Sequence, residues 1–376
     1  MDPRIEAQNT RNNKLYFRLA GTNVSIANAL RRTIIADIPC VVMRAETTEE
    51  PEIDITVNTS RLNNELIKQR LSCIPVHIQD TSFPVEDHRV EIDVTNTSDA
   101  VMIVTTQQFK IKNTATDSYL TEEQTRKVFP PDPITGDYIS VVRLRPAQGK
   151  VGKEAIQFSC PLGIGTASQN SAYAVACTCA YAATQDTAAA DAAWNARNSK
   201  GAGKAGDGNS DADSIKKRDW ELLGAKRFTI PDSFDFVLES VGQFSTKELI
   251  RKGLDVLISK LRRYQDTTDL IQTSIQPAEG TMPNSYTITL MGEGYTIGKV
   301  LEYFLFASHV KGQSGSDNTL EYCGFTKPHP HIDKSIIRIA FTDPKSKEDA
   351  GLLIAGAARK GVAAFESLLL GFGEGE

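Results

Sequence analysis

Apolar and polar residues alternate along the chain with two periods, one close to four and one of two, and this contrast divides it into elements. Leu15 to Leu19 reads as a short strand. The stretch from Asn23 to Cys40 reads as a helix, with Asn23 or Ser25 as its cap and Pro39 as its stop. Ile26, Leu30, Ile34 and Ile38 recur every fourth residue and share one face. Ala27 and Ala29 leave room for a close neighbour. Arg31 and Arg32 lie about 100° apart on such a helix, so they cannot both enter a core. Val41 to Thr56 is strand-like, with a charged hairpin around Glu49, Glu50 and Pro51. Asn58 to Pro75 predicts a second, shorter helix, with Leu62, Leu66 and Ile67 on its apolar side.

From Val76 to about residue 227 the two-residue period dominates. It predicts strands at Val90 to Val94, Phe109 to Lys112, Tyr138 to Leu144, Ala155 to Cys160 and Ala172 to Tyr181. Within this mostly β insertion, 183–219 is biased toward Ala, Gly, Asp, Ser and Lys. A flexible loop or a partly ordered alanine-rich turn is expected there.

The helical period returns at Phe228. Phe234 to Glu239 predicts a strand, and Ser245 to Tyr264 a helix opened by a capping box of Ser245 and Glu248. Its apolar residues Ile250, Leu254, Leu257 and Leu261 alternate spacings of four and three, a seam of the coiled-coil kind. A polar linker at 265–284 follows. The last block predicts a strand at Ser285 to Leu290, a helix at Thr296 to Phe306 and a strand at Ile336 to Phe341. A long helix from Asp343 to Leu370 closes it, with Asp343 as cap and Pro344 at its first position. Ala355, Ala358, Val362, Phe365 and Leu369 form its seam.

Two of these blocks share one order. Ser25-Ile26-Ala27-Asn28-Ala29-Leu30 aligns with Thr296-Ile297-Gly298-Lys299-Val300-Leu301, and Ile34 and Ile35 then align with Leu305 and Phe306. Each block holds strand, helix, strand and seam helix, and the insertion interrupts the first. One such unit cannot bury both faces of a small sheet. Two copies can, with Ile26, Leu30, Ile34, Ile250, Leu254, Leu257 and Leu261 of the first facing Ile297, Leu301, Leu305, Val362, Phe365 and Leu369 of the second about a pseudo-twofold axis. The fold class expected is therefore α+β. It comprises a first module at 1–75 and 228–264, a β-rich insertion at 76–227 and a second module at 285–376, each module a small antiparallel sheet with helices. Arg31 and Arg32 align with Glu302 and Tyr303, so the outward faces of the two modules differ.

Composition narrows the function. A chain of 376 residues accommodates two or three domains. A net charge of −5 argues against a free-standing DNA or RNA binder. No apolar run approaches the ~20 residues needed to cross a bilayer. The first residues lack the apolar core of a signal peptide, and six scattered cysteines fit a reducing compartment. Cys160, Cys177 and Cys179 could form a metal or redox site, the competing functional reading, but zinc takes four ligands and no second Cys pair or His pair accompanies them. His329 and His331 fit a turn between prolines better than ligands. Gly201-Ala202-Gly203-Lys204 lacks the hydroxyl residue and earlier glycine of a phosphate loop. No aspartate triad for magnesium and no Ser-His-Asp arrangement emerges.

At this point the residues resemble a known family. Asn28-Ala29-Leu30-Arg31-Arg32 followed by Ala36-Asp37-Ile38-Pro39 is similar to the alpha motif of RNA polymerase assembly subunits. This is the family of the bacterial alpha subunit, its archaeal D-type counterpart and the eukaryotic third subunit. Asn58-Thr59-Ser60, Leu62-Asn63, Glu65, Arg70-Leu71 and Ile74-Pro75 resemble the next signature of the archaeal and eukaryotic members, though Gln69 and Ser72 replace a usual histidine and glycine. Tyr295-Thr296-Ile297-Gly298, Leu301 and Phe325-Thr326-Lys327-Pro328-His329-Pro330 resemble the archaeal L-type and eukaryotic eleventh subunits. The resemblance implies a fused, non-catalytic scaffold of a DNA-directed RNA polymerase, as in large DNA viruses. Asn28, Arg31, Arg32 and Arg70 would bind partners, with the arginine pair on the second-largest subunit. The largest subunit and small subunits would be further partners, with no sequence-specific nucleic-acid contact and no membrane. No cofactor is expected on this chain, with magnesium and zinc on the large subunits. The resemblance further implies an intracellular location in a virus factory, host cytoplasm or nucleus, with packaging in the virion. Relatives carry a cysteine cluster in the insertion that is missing here between Cys73 and Cys160, and their basic loop has become Gly163 to Asn170.

Overall fold

The structure is a computed structural model, which describes residues 2–11, 14–45, 53–147, 152–199, 210–266, 274–280 and 282–373. Along the chain run β1 (Arg4–Arg11), β2 (Lys14–Ala20), α1 (Val24–Ala36), β3 (Cys40–Met43), β4 (Asp54–Asn58) and α2 (Asn64–Ser72). Next come β5 (His88–Thr95), β6 (Met102–Thr105), β7 (Lys110–Asn113), β8 (Ser118–Tyr119), α3 (Glu122–Val128), β9 (Ser140–Leu144), β10 (Ala155–Gly165) and β11 (Ala176–Gln185). Then follow α4 (Thr187–Ser199), α5 (Ser210–Asp219), β12 (Thr229–Ser240), α6 (Thr246–Arg262), β13 (Ile275–Pro277) and β14 (Ser285–Met291). The order closes with α7 (Tyr295–His309), β15 (Leu320–Thr326), β16 (Lys334–Phe341) and α8 (Lys347–Gly373). The architecture is mixed, with helices beside antiparallel sheets.

The chain forms two compact units. One holds Met1–Arg32, Cys179–Leu238 and Leu254–Glu376; the other holds Thr33–Thr178 and Glu239–Gly253. This division differs from the expected one. Strands β3 and β4, expected in the first module, both hydrogen-bond to β10 and so belong with the insertion. Residues 179–227, expected in the insertion, lie in the unit that also contains the second module.

In the second of these units the sheet order is β3-β10-β5-β7-β8, with β4 also on β10, and β6 pairs with β9 separately. Its core gathers Val41, Met43, Ile67, Leu71, Val90, Ile111, Ile156 and Phe158. Phe109 stands edge-on to Phe129 at 5.1 Å and to Phe158 at 6.0 Å. Next to this core Glu154, 4% exposed, accepts the Arg145 backbone N–H at 2.6 Å and the Arg145 Nε–H at 2.7 Å. Those bonds hold its carboxyl below the usual carboxylate range, the Arg145 side chain being the larger cause.

The other unit carries two four-stranded sheets, β1-β2-β12-β11 and β13-β14-β16-β15. Alternation in β2 buries Leu15, Phe17 and Leu19. Phe17 stacks on Phe236 of β12 at 4.8 Å and meets Phe372 of α8 edge-on at 5.3 Å. Within this unit α6, α7 and α8 approach closely at Gly361. A Cβ placed there would lie 2.9 Å from Leu261, 3.4 Å from Val300 and 3.5 Å from Phe304.

Several expectations need correction. The alanine-rich segment 183–219 is helical on both sides, as α4 and α5. Alanine is the strongest helix former, and Asp186 caps α4 through its side chain to the Ala189 N–H and its carbonyl to the Ala190 N–H. The linker 265–284 contains β13, an edge strand on β14. The long terminal helix starts after Ser346, not at Asp343: Ser346 Oγ accepts from the Asp349 N–H at 3.2 Å, and Asp349 returns the bond to the Ser346 N–H at 2.9 Å. Its buried stripe runs through Ile354, Ala358, Phe365, Leu368 and Phe372, whereas Leu369 is half-buried. The hairpin expected around Glu49, Glu50 and Pro51 and the Gly201–Lys204 stretch lie outside the described residues.

Candidate docking site on the first helix

Asn23 starts α1: its side chain accepts from the Ser25 N–H at 2.9 Å, and its carbonyl accepts from the Ile26 and Ala27 N–H groups. The last helical bond runs from the Asp37 N–H to the Thr33 carbonyl, two residues before Pro39. Ile26, Ala27, Leu30 and Ile34 are all shielded from solvent. Burial of this stripe fixes the helix and leaves Asn28 and Arg31 half-buried and Arg32 exposed.

Each arginine is oriented. Arg31 Nε donates to Asn28 Oδ1, one turn earlier, at 3.1 Å. Arg32 Nε donates to Thr296 Oγ1, at the start of α7, at 3.0 Å. The guanidinium has five N–H donors in a planar fork, so a single internal bond positions it while leaving others for a carboxylate or a backbone carbonyl. Arg70, assigned with this pair by the resemblance, sits on α2 in the other unit. There its Nη2 donates to the Ser140 carbonyl at 2.7 Å and ties α2 to β9.

The aligned pair on α7 is built differently. Glu302 turns inward, 18% exposed, where it accepts the Phe325 N–H at 2.9 Å and pairs with Lys299. Tyr303 is half-buried, and desolvation pushes its phenol upward. Glu302 is therefore a strut between α7 and β15 rather than an outward-facing group. Phe325 covers Gly298 so closely that a Cβ on Gly298 would fall inside the ring. Sequence patterning missed this contact, although the glycine in place of Ala27 was the available signal.

Of the expected seam residues, Ile250, Leu254, Leu257, Leu261, Ile297, Leu301, Leu305, Val362 and Phe365 are buried, whereas Leu369 is half-buried. In the unit holding α7 and α8, Arg262 on α6 pairs with Glu366 on α8 at 2.8 Å, and Lys260 lies 3.9 Å from Glu293.

Among the described residues no three His, Cys, Asp or Glu side chains gather in a way that could hold a metal ion. Burial pushes the Cys160 and Cys179 thiols each up to about 12, which disfavours the thiolate that metals and electrophiles require. The loop at Gly163 to Asn170 is held from within, where the Thr166 N–H donates to Gln169 Oε1 at 3.0 Å, and by the end of α1, where the Ser168 N–H donates to the Ala36 carbonyl at 2.8 Å. No helix among the described residues is long and apolar enough to cross a membrane.

Residues 16–261, about two-thirds of the chain, match the RNA polymerase Rpb3/Rpb11 dimerisation domain. The chain belongs to that family. This Rpb3/Rpb11-type chain is 38% identical over 74 residues to subunit 3B of DNA-directed RNA polymerases IV and V of Arabidopsis thaliana, covering 20% of this chain and 21% of the relative. It is 28% identical over 170 residues to the rpac1 subunit of DNA-directed RNA polymerases I and III of Dictyostelium discoideum, covering 39% and 47%. It is 32% identical over 95 residues to the Rpo3 subunit of the Pyrococcus furiosus RNA polymerase, covering 25% and 31%. The Rpb3/Rpb11-type chain thus spans between about a fifth and a half of the length of these curated relatives.

Proposed function

We propose that this chain is a non-catalytic assembly subunit of a multisubunit DNA-directed RNA polymerase. In it an Rpb3-like module and an Rpb11-like module are joined and paired about a pseudo-twofold axis. The observation that carries the reading is the oriented arginine pair on a helix of a family-typical dimerisation domain. Contacts between α1, α6, α7 and α8 support the pairing: Arg32 with Thr296, Arg262 with Glu366, and Gly361 under Leu261, Val300 and Phe304. The relatives are named as polymerase subunits, which supports the assembly role.

The mechanism is preorganisation. A rigid helix presents Arg31 and Arg32 without a further entropic cost of ordering the backbone, so contacts made with a partner convert more fully into affinity. A bidentate guanidinium–carboxylate or guanidinium–carbonyl contact fixes orientation as well as position. In this reading Arg31, Arg32 and Asn28 meet the second-largest subunit, other surfaces meet the largest and the small subunits, and nucleotide chemistry and its magnesium reside on the large subunits. The fused arrangement is the one expected of large DNA viruses.

The test is co-purification. A tagged chain carrying Arg31→Ala and Arg32→Ala is expected to keep its circular dichroism and melting profile while losing the second-largest subunit. Thr296→Val removes only the internal bond of Arg32 and is expected to retain that partner. Equal recovery with the double alanine chain would overturn the assignment.

A further inference from the structure

Both tryptophans of the chain lie outside the sheet cores, in one open pocket of about 420 Å3 formed by α4, α5 and the π-turn Trp220–Gly224. Their rings are 5.9 Å apart and tilted by 39°. Trp220 is held from two further sides. Phe228 lies 5.8 Å away, and Gly224 touches the six-membered ring so closely that any side chain there would overlap it. The indole N–H of Trp220 is shut off from solvent and has no acceptor among the described residues.

The rim has a definite sign. Among the described residues, Arg197, Lys216 and Arg227 line the pocket against the single acid Asp219, in a chain whose net charge is −5. Leu223 also lines it and is 74% exposed, and its neighbour Leu222 is 53% exposed. Leucines this exposed next to indoles gain nothing from the fold of the chain itself. Tryptophan and arginine in one desolvatable pocket are the side chains that dominate binding at protein interfaces.

Three kinds of ligand could use the cations, and the surroundings separate them. A small free anion would leave the leucines in water. A nucleic-acid strand requires a continuous cationic track, but the basic run is interrupted by Asp219 and by Glu221, which stands 3.9 Å from Lys217. A protein segment with an apolar side chain flanked by carboxylates meets every feature at once.

We propose that this pocket docks an acidic segment of another protein. A phenylalanine or leucine seats on the tryptophan floor, and neighbouring Asp and Glu side chains reach Arg197 and Arg227.

Because the pocket contains every tryptophan of the chain, intrinsic fluorescence reads the site without a label. The isolated full-length chain is titrated with a synthetic peptide of Asp, Glu, Phe and Leu, with the same peptide carrying Asn and Gln in place of the acids, and with oligodeoxythymidylate. The acidic peptide is expected to give a saturable change with a Kd on the order of micromolar, weakening as salt rises. Arg197→Glu and Arg227→Glu are each expected to weaken it by about tenfold with the circular dichroism unchanged. Trp194→Phe keeps the ring floor and separates the signals of the two indoles. No saturable change with the acidic peptide, equal binding of the neutral peptide, indifference to both charge reversals, or tighter binding of the oligonucleotide would each overturn the proposal. The titration uses the chain alone, so its result is independent of whether the chain enters a polymerase.

Discussion

Gly298 has no side chain because the Phe325 ring occupies the space where a Cβ would go. The same ring lies edge-on to Tyr295 at 5.2 Å and under Lys299 at 5.6 Å from its centroid, while its backbone N–H is held by Glu302. Gly298→Ala must therefore displace an aromatic ring fastened at several points. A destabilisation of about 1–3 kcal/mol, the range of overpacked cores, is expected in chemical denaturation, although glycine to alanine in a helix interior ordinarily stabilises. Glu154 gives a pH signature. Its carboxyl is held low in the folded chain, first by the Arg145 side chain and then by the Arg145 N–H. The stability it contributes is present above the ordinary carboxylate range and disappears as pH falls through the lowered folded value. A melting-temperature series against pH is expected to show that acid-side loss in the native chain and a smaller one in Glu154→Gln. Gly298 was legible only as the small residue of the repeat, and Glu154 not at all: a glutamate's burial depends on which backbone N–H faces it, and that is settled only when Arg145, just after β9, meets the residue just before β10.

Elements were more legible where one local interaction decides them. The Ser245–Glu248 box, read from spacing alone, forms with the Ser245 N–H on Glu248 Oε2 at 2.7 Å and the Glu248 N–H on Ser245 Oγ at 3.3 Å. The start of α8 was less legible, because Asp343-Pro344 and Ser346 with Asp349 are both valid helix openings and the second is the one used. Ser346→Ala is expected to cost about 1 kcal/mol, whereas Asp343→Ala leaves the melting midpoint unchanged; urea titration of both variants distinguishes the two starts. Helices α4 and α5 were hidden for another reason. A composition poor in large apolar groups predicts weak packing, but it does not predict weak helices when the residue in excess is alanine. Strand β15 was missed because its burial does not alternate cleanly and its register slips between Leu320 and Tyr322.

At the scale of the whole molecule, the repeat of Ser25 to Leu30 at Thr296 to Leu301 was visible because buried helix faces constrain residue size. The division into units was not, since β3 and β4 precede by about a hundred residues the strand that they join. Of the candidate site, the arginine pair was legible from its position on α1, but its orientation by Asn28 and Thr296 required the third dimension. If the modules close on one another through α6, α7 and α8, the covalent join is dispensable for binding and needed only for local concentration. Co-expressed chains of residues 1–266 and 274–376 are therefore expected to co-elute as a one-to-one complex in gel filtration. Separate elution would contradict the pairing.

The short strand β13 bears on how many molecules take part. It anchors the arriving chain along β14, starting from Ile275, which is fully buried. From Asp266 at the end of the first module to Ser274, the backbone can reach roughly 29 Å even when taut. A tether gives one half a high local concentration at the other where its length matches their separation, and favours exchange between molecules where it falls short. If the two halves close on one another within one chain, that chain remains its own mate at any dilution, and it would hand an assembling complex both halves in a fixed ratio from a single translation product.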